Sequence, residues 1–274
     1  MTAVLAIACK ELRTSLRNRW VIAATLLLMG LALALAWLGS APVGEVKVDR
    51  LTVTVVSLTS LSVFLIPLVA LLISYDAVVG EVARGTMLLM LAYPVERWQV
   101  VAGKFLGHLA VIAIAAVVGY GVAGGAVYLA GAGGTAGIPA FAWLIASTVL
   151  LGACFVALGY LASTLVRERA TAAGVALGIW LVMVVVYDLA LLGVLVGAEG
   201  VISQQAFSLL LMLNPADAFR MFNLVGSESA SMIAGMAGAA GGAAPTRGVL
   251  AAVLLAWAVV PLGLAMLAFR RRDV

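Results

Sequence analysis

The chain has 274 residues, 65% of them hydrophobic and 10% charged, with a net charge of +4 and a mean hydropathy of +1.21. A water-soluble domain carries about 45–50% apolar and about 25% charged residues, and it must cover its surface with polar groups however large its core. Composition therefore excludes a soluble globular protein and points to lipid as the solvent. The 29 glycines fit that solvent, because helices in lipid pack backbone to backbone through small residues.

The first 19 residues place Leu5, Cys9, Leu12 and Leu16 on one helical face, with Lys10, Arg13 and Arg17 opposite. That pattern predicts an amphipathic helix lying along a membrane surface. No cleavable leader is expected, since the segment holds four basic residues and the first apolar run is long enough to span. Spans of about 20 apolar residues are predicted at 20–39, 55–75, 105–130, 140–165, 171–197 and 248–269. They must be helices, because lipid offers backbone groups no hydrogen-bond partners. We expect an all-α integral membrane protein with six transmembrane helices, a single transmembrane domain over 1–274.

Six spans put both termini on one side. On that side fall Lys10, Arg13, Arg17, Arg19, Arg84, Arg97, Lys104, Arg167, Arg169, Arg270, Arg271 and Arg272, and on the other Lys47, Arg50, Arg220 and Arg247. Twelve of the sixteen basic residues mark the cytoplasmic side by the positive-inside rule. The net charge thus follows a membrane rule and gives no reason to expect a nucleic-acid partner.

The cytoplasmic loop 76–104 reads as a short helix leaving the membrane, broken near Gly85 and stopped before Pro94. Glu81, Arg84 and Thr86 give it a charged edge and a hydroxyl that a partner's groove could grip. The plainer alternative is a solvated loop with one exposed ion pair of little worth. Asp188 is the one ionisable residue deep in a span. Burying it costs on the order of 2.5–3.5 kcal/mol, so it must face protein or water. A hydrogen bond to a neighbouring helix and a place in a moving interface or polar pathway both satisfy that demand. His108, the lone histidine, reads as a packing hydrogen-bonder before a metal ligand.

The outer stretch 198–247 starts with Ser203-Gln204-Gln205 and runs through the Leu-rich 207–213 to Asn214-Pro215. It ends in a Gly/Ala-rich tail at 234–244 that reads as a loose linker. Its apolar part is too short to cross and is expected to be re-entrant or interfacial. Asn214 and Pro215 would end that helix at the surface, where Asp217, Arg220 and Glu228 would offer polar contacts to a periplasmic partner. Met212, Met221, Met232 and Met236 could suit copper(I) as soft ligands, but methionine is also ordinary filler on apolar helix faces. No metal site is expected in this chain, and Cys9 and Cys154 suggest neither a disulfide nor a metal cage.

The order of Glu81, Gly85-Thr86, Tyr93-Pro94, Arg97 and Gly103-Lys104 resembles the coupling-helix region of type 2 ABC transporter permeases. The amphipathic segment before it resembles that family's elbow helix. More narrowly, the chain is similar to the permeases of nitrous oxide reductase maturation transporters. Lys10-Glu11-Leu12, Leu16-Arg17-Asn18-Arg19-Trp20, Tyr75-Asp76, Gly80-Glu81, Gly103-Lys104-Phe105 and Gly107-His108 carry that likeness. So do Ala172-Ala173-Gly174, Tyr187-Asp188-Leu189, Asn214-Pro215-Ala216-Asp217 and Phe269-Arg270-Arg271-Arg272.

The resemblance implies a bacterial inner-membrane homodimer with two cytoplasmic ATPase subunits of NosF type and a periplasmic partner of NosD type, with a copper chaperone as a further candidate partner. It also implies that Glu81, Arg84, Gly85, Thr86, Pro94 and Arg97 couple to the ATPase. The chain itself has no Gly-x4-Gly-Lys-Ser/Thr phosphate loop, so ATP and Mg belong to the partner subunit and no cofactor is expected here. Copper, a sulfur species or purely mechanical work on the periplasmic partner all fit as the output, and the scarcity of polar groups in the spans favours force transmission. An exporter of another substrate is the alternative. An intramembrane enzyme lacks the converging acid, base or metal groups it would need, and a secondary transporter would show inverted repeats that are absent here.

Overall fold

The computed structural model describes residues 3–38, 50–129, 138–197, 204–224 and 245–272, and every regular element among them is a helix. In chain order these are α1 (Ala3–Leu16), α2 (Arg19–Leu38), α3 (Arg50–Ser74), α4 (Val79–Ala83), α5 (Thr86–Leu91), α6 (Arg97–Leu129) and α7 (Ile138–Leu165). There follow α8 (Arg169–Leu181), a π-helical turn (Val182–Val186), α9 (Tyr187–Gly197), α10 (Gln204–Met212), α11 (Pro215–Leu224) and α12 (Arg247–Arg270). The expected linker at 234–244, with Glu228, Met232, Met236 and Lys47, lies outside the described residues.

Among the described residues five helical stretches are long and apolar enough to cross a membrane: Thr54–Ala83, Arg97–Leu129, Ile138–Leu165, Arg169–Gly197 and Arg247–Arg270. A sixth arises if α1 and α2, bent by 70° at the break between them, are taken together. The α6 helix begins at Arg97, eight residues ahead of the apolar run. Hydropathy sees only the lipid-facing part of a helix, whereas Trp98–Lys104 carry helical backbone out of the apolar zone.

The α7 helix is the hub, with 67% of its most apolar window buried. It packs against α3, α6 and α12, and α2 lies against α6. Polar side chains pin these contacts: Ser62 and Tyr120 share a hydrogen bond of 2.6 Å, and Cys154 Sγ donates to the Leu254 carbonyl at 3.2 Å. The α8–α9 span stands at the edge, with only 11% of its window buried. Its π-turn falls on Val-Met-Val-Val-Val, where β-branched side chains crowd an α-helical turn and the wider turn relieves them.

The α1 helix packs against α6 with a face different from its apolar one. Leu5, Cys9 and Leu16 are exposed, whereas Glu11 and Ser15 are buried. The seat is a glycine notch on α6. A Cβ added at Gly103 would stand 2.8 Å from the Val4 carbonyl oxygen, and one at Gly107 only 2.6 Å from Glu11 Cβ. The small-xxx-small spacing therefore lets two backbones meet and delivers Glu11 to the side of α6.

Candidate functional site

Two polar clusters stand at opposite ends of the bundle. The first is built around the α4–α5 segment. Gly85 joins the two short helices at φ 71°, a left-handed conformation that glycine adopts without the clash a Cβ would bring. The Thr86 hydroxyl donates to the Glu81 carbonyl at 3.2 Å, and Pro94 lies exposed in the turn that follows α5. The start of α4 is capped from a distance. Ser163 Oγ on α7 accepts from the Val78 and Val79 amides at 3.1 and 3.0 Å, satisfying two of the donors a helix N-terminus leaves open.

Glu81 turns inward. Its Oε1 accepts from Lys104 Nζ of α6 at 2.9 Å, and Lys104 also donates to Glu11 Oε2 of α1 at 3.0 Å. Lys10 closes the rim, 3.6 Å from Glu11 and 3.8 Å from Glu81. His108 Nε2 lies 3.3 Å from Glu11 Oε1, and its Nδ1 lies 2.9 Å from the Tyr160 hydroxyl. A carboxylate only accepts, so the ring proton sits on Nε2 and Nδ1 accepts from Tyr160. Burial acts to raise the Glu11 carboxyl, but the hydrogen bond from His108 and the charge of Lys104 outweigh it and hold the group well below the usual carboxylate range. Two carboxylates against two ammonium groups leave the cluster neutral, and it ties α1, α4, α6 and α7 together in one network.

Asp76 makes a second tie. It accepts from Arg169 of α8 at 2.7 and 2.9 Å and from Arg84 at 3.2 Å. Arg97 does not share in this network. Its Nη1 donates to the carbonyls of Phe269, Arg270 and Arg272 at 3.1, 3.3 and 2.6 Å, capping α12 where a helix end has open acceptors. Arg272 in turn donates to the Ser163 and Thr164 carbonyls at 2.9 and 3.0 Å. The α4–α5 segment thus keeps Glu81 inside, pairs its exposed Arg84 with Asp76, and leaves Leu88, Leu89 and Tyr93 bare, at 58%, 69% and 72% exposure.

At the other end, Asp188 on α9 pairs with Arg220 on α11 at 2.7 Å, and Arg220 also donates to Asp217 at 2.9 Å. Asn214 caps α11 by accepting from the Ala216 amide, with Pro215 at the first helical position, where its missing N–H is no loss. Asn214 Nδ2 also donates to Asp217 and to the Met183 carbonyl of the π-turn, at 2.9 and 2.6 Å, while Tyr187 donates to the Leu210 carbonyl at 2.6 Å. Asn214, Pro215 and Asp217 are buried and Arg220 is half-buried. These four side chains, expected to face a partner, are turned inward here because Asp188 needs a counter-charge. The sequence pieces Tyr187-Asp188 and Asn214-Pro215-Ala216-Asp217, far apart in the chain, are two halves of one contact. Met221 packs among Leu191, Phe207, Leu211, Phe222 and Leu250, with Met212 against them.

Glu11, Lys104, His108 and Tyr160 were not legible as one cluster. Lys104 looked like any basic residue at a membrane surface. A usable signal was the Gly103-Lys104-x-x-Gly107-His108 spacing, in which glycines that seat a helix flank the groups that bond to it.

The family profile described as "ABC-2 family transporter protein" matches residues 5–274. The chain is 43% identical over 274 residues to the "Probable ABC transporter permease protein NosY" of Stutzerimonas stutzeri, covering 99% of each chain. It is 43% identical to the protein of the same name from Pseudomonas aeruginosa, covering 100% of both.

Proposed function

This chain belongs to the ABC-2 transporter family as a transmembrane permease subunit, not itself an enzyme, and we propose that its α4–α5 segment is the surface through which a separate ATPase subunit drives it. The observation that carries this reading is the division of α4–α5 into two faces. One face is bonded into the bundle through Glu81, Ser163 and Asp76. The other presents Leu88, Leu89 and Tyr93, which the described residues leave exposed. A displacement of α5 would be carried to α6 and α1 by Lys104, to α7 by Ser163 and to α8 by Asp76. Arg84, Gly85, Thr86 and Pro94 shape the segment, and Arg97 locks the adjoining start of α6 to α12.

In this reading the basic end of the bundle is cytoplasmic, α1 is the elbow helix, and both termini lie in the cytoplasm of a bacterial inner-membrane protein with six spans. The complex contains two such chains and two ATPase subunits of NosF type. The sparsely covered α8–α9 span is the face offered to the second copy. The likeness to the NosY permeases supports a role in copper or sulfur delivery for nitrous oxide reductase maturation. Among the described residues the middles of the spans hold few charged groups, which favours mechanical work on a periplasmic NosD-type partner over ion conduction. That partner would meet the outer stretch on its exposed Leu209 and Leu213, while Asn214, Pro215, Asp217 and Arg220 hold the stretch in place.

The test is co-purification with the ATPase subunit. Replacing Leu88 and Leu89 together by Asp should abolish the complex while the permease still inserts and folds. Full retention of a coupled ATPase by that variant overturns the assignment.

A further inference from the structure

The outer cluster has an unbalanced charge. Asp188 and Asp217 both accept from Arg220 Nη1, at 2.7 and 2.9 Å, so two carboxylates share one guanidinium. Asp217 is 1% exposed and Asp188 keeps a buried Oδ1 with no hydrogen-bond partner. With both acids ionised the site holds one net negative charge and lacks one donor. Burial disfavours a charge on Asp217, and the Asp188 charge adds to that effect. One proton removes the excess charge and supplies the missing donor.

Among the described residues, the elements packed against α11 bring few titratable groups to the site. The α9 helix contributes Asp188 itself and Tyr187, whose hydroxyl is given to Leu210. The π-turn and α10 carry no titratable group, and α3 carries none among its described side chains. The titratable residues of α7 are Cys154 and Tyr160, which bond to Leu254 and His108. The α12 helix has Arg247 in its first turn, a second basic residue on a helix packed against α11.

We propose that Asp188, Arg220 and Asp217 form a proton-dependent latch, closed over α11 when the two carboxylates hold one proton between them and loosened when that proton leaves. The latch sits where the α8–α9 span changes to a π-turn, and it fixes the outer helices to the span that the rest of the bundle covers least. Burial and the neighbouring Asp188 charge, partly offset by Arg220, push Asp217 up to about 7, so the change falls in the range a periplasmic face meets. The latch goes beyond the proposed function and does not depend on which partner drives the chain.

The test is infrared difference spectroscopy of the full chain in lipid nanodiscs, titrated across neutrality, with a spin-label pair at the exposed positions Leu189 and Leu213 read in parallel. A protonated carboxylic-acid band should vanish with a midpoint of about 7, and the label distance should broaden over the same interval. Asp217→Asn should remove the band. Asp188→Asn should move the midpoint down by at least one unit, tenfold in proton affinity, and hold the label distance narrow throughout. No titrating acid band in the parent chain overturns the latch. So does a band whose midpoint Asp188→Asn leaves in place, and that second variant decides the matter if Asp217→Asn fails to fold.

Discussion

Lys104 on α6 donates to Glu81 on α4 at 2.9 Å with only 2% of the lysine side chain exposed. A residue that the sequence places in the membrane-surface basic set is thereby the inner anchor of the α4–α5 segment.

Lys104→Met leaves Glu11 and Glu81 close together and without their main counter-charge. Removing one partner of a buried ion pair costs about 3–5 kcal/mol, so a marked fall in the thermal midpoint of the purified chain is expected. Arg84→Ala breaks an exposed pair with Asp76 and should cost at most about 1 kcal/mol. Equal losses for the two variants would show that the inner cluster carries no special weight.

Ser163→Ala strips the cap from α4 and leaves the Val78 and Val79 amides without an acceptor. Each buried orphan donor costs about 1–3 kcal/mol. Hydrogen exchange over residues 76–83 should accelerate while exchange in the middle of α7 stays slow. Unchanged protection of 76–83 would mean that something other than Ser163 caps the helix.

Gly103→Ala places a Cβ 2.8 Å from the Val4 backbone oxygen, and that oxygen has no flexible side chain to move aside. Overpacking of this kind costs about 1–3 kcal/mol and should free α1 for proteolysis. Gly174→Ala and Gly178→Ala meet open space within the chain and should leave its own stability unchanged. If the α8–α9 span is the face for a second copy, the same two substitutions together should weaken self-association in size-exclusion and cross-linking measurements.

Asp217 offers a pH signature. Its carboxyl is raised in the fold, from 3.8 to about 7, so between those values the folded state binds more protons than the unfolded one. Stability therefore falls as pH rises through that window and levels off above it. Asp217→Asn should flatten this slope in melts run from acid to neutral pH. A parent chain that gains stability over the same window contradicts the assignment.

Orientation can be read by labelling in a Cys9→Ser background. A cysteine at exposed Leu213 should react with an impermeant reagent from the periplasm, whereas one at Arg167 should be silent until the membrane is opened. The reverse pattern would shift the span count by one.

Composition and apolar run length pointed to lipid as the solvent, to the helical class and to the approximate place of five helices long and apolar enough to span, because a backbone in lipid has almost no other way to satisfy its polar groups. The break at Gly85 and the stop at Asn214-Pro215 were equally legible, since glycine and proline act on their own backbone. Partners across helices were not. Hydropathy gives a charged residue the same value whether it meets water or a counter-ion, so Glu81 read as an outward edge and Asp217 as a surface contact. Only the packed bundle, with α1 seated on Gly103 and Gly107 and α11 folded back on the π-turn, brought Lys104 to Glu81 and Arg220 to Asp188. Those pairings depend on where backbones can approach, and that is a property of helices in contact that no single stretch of sequence carries.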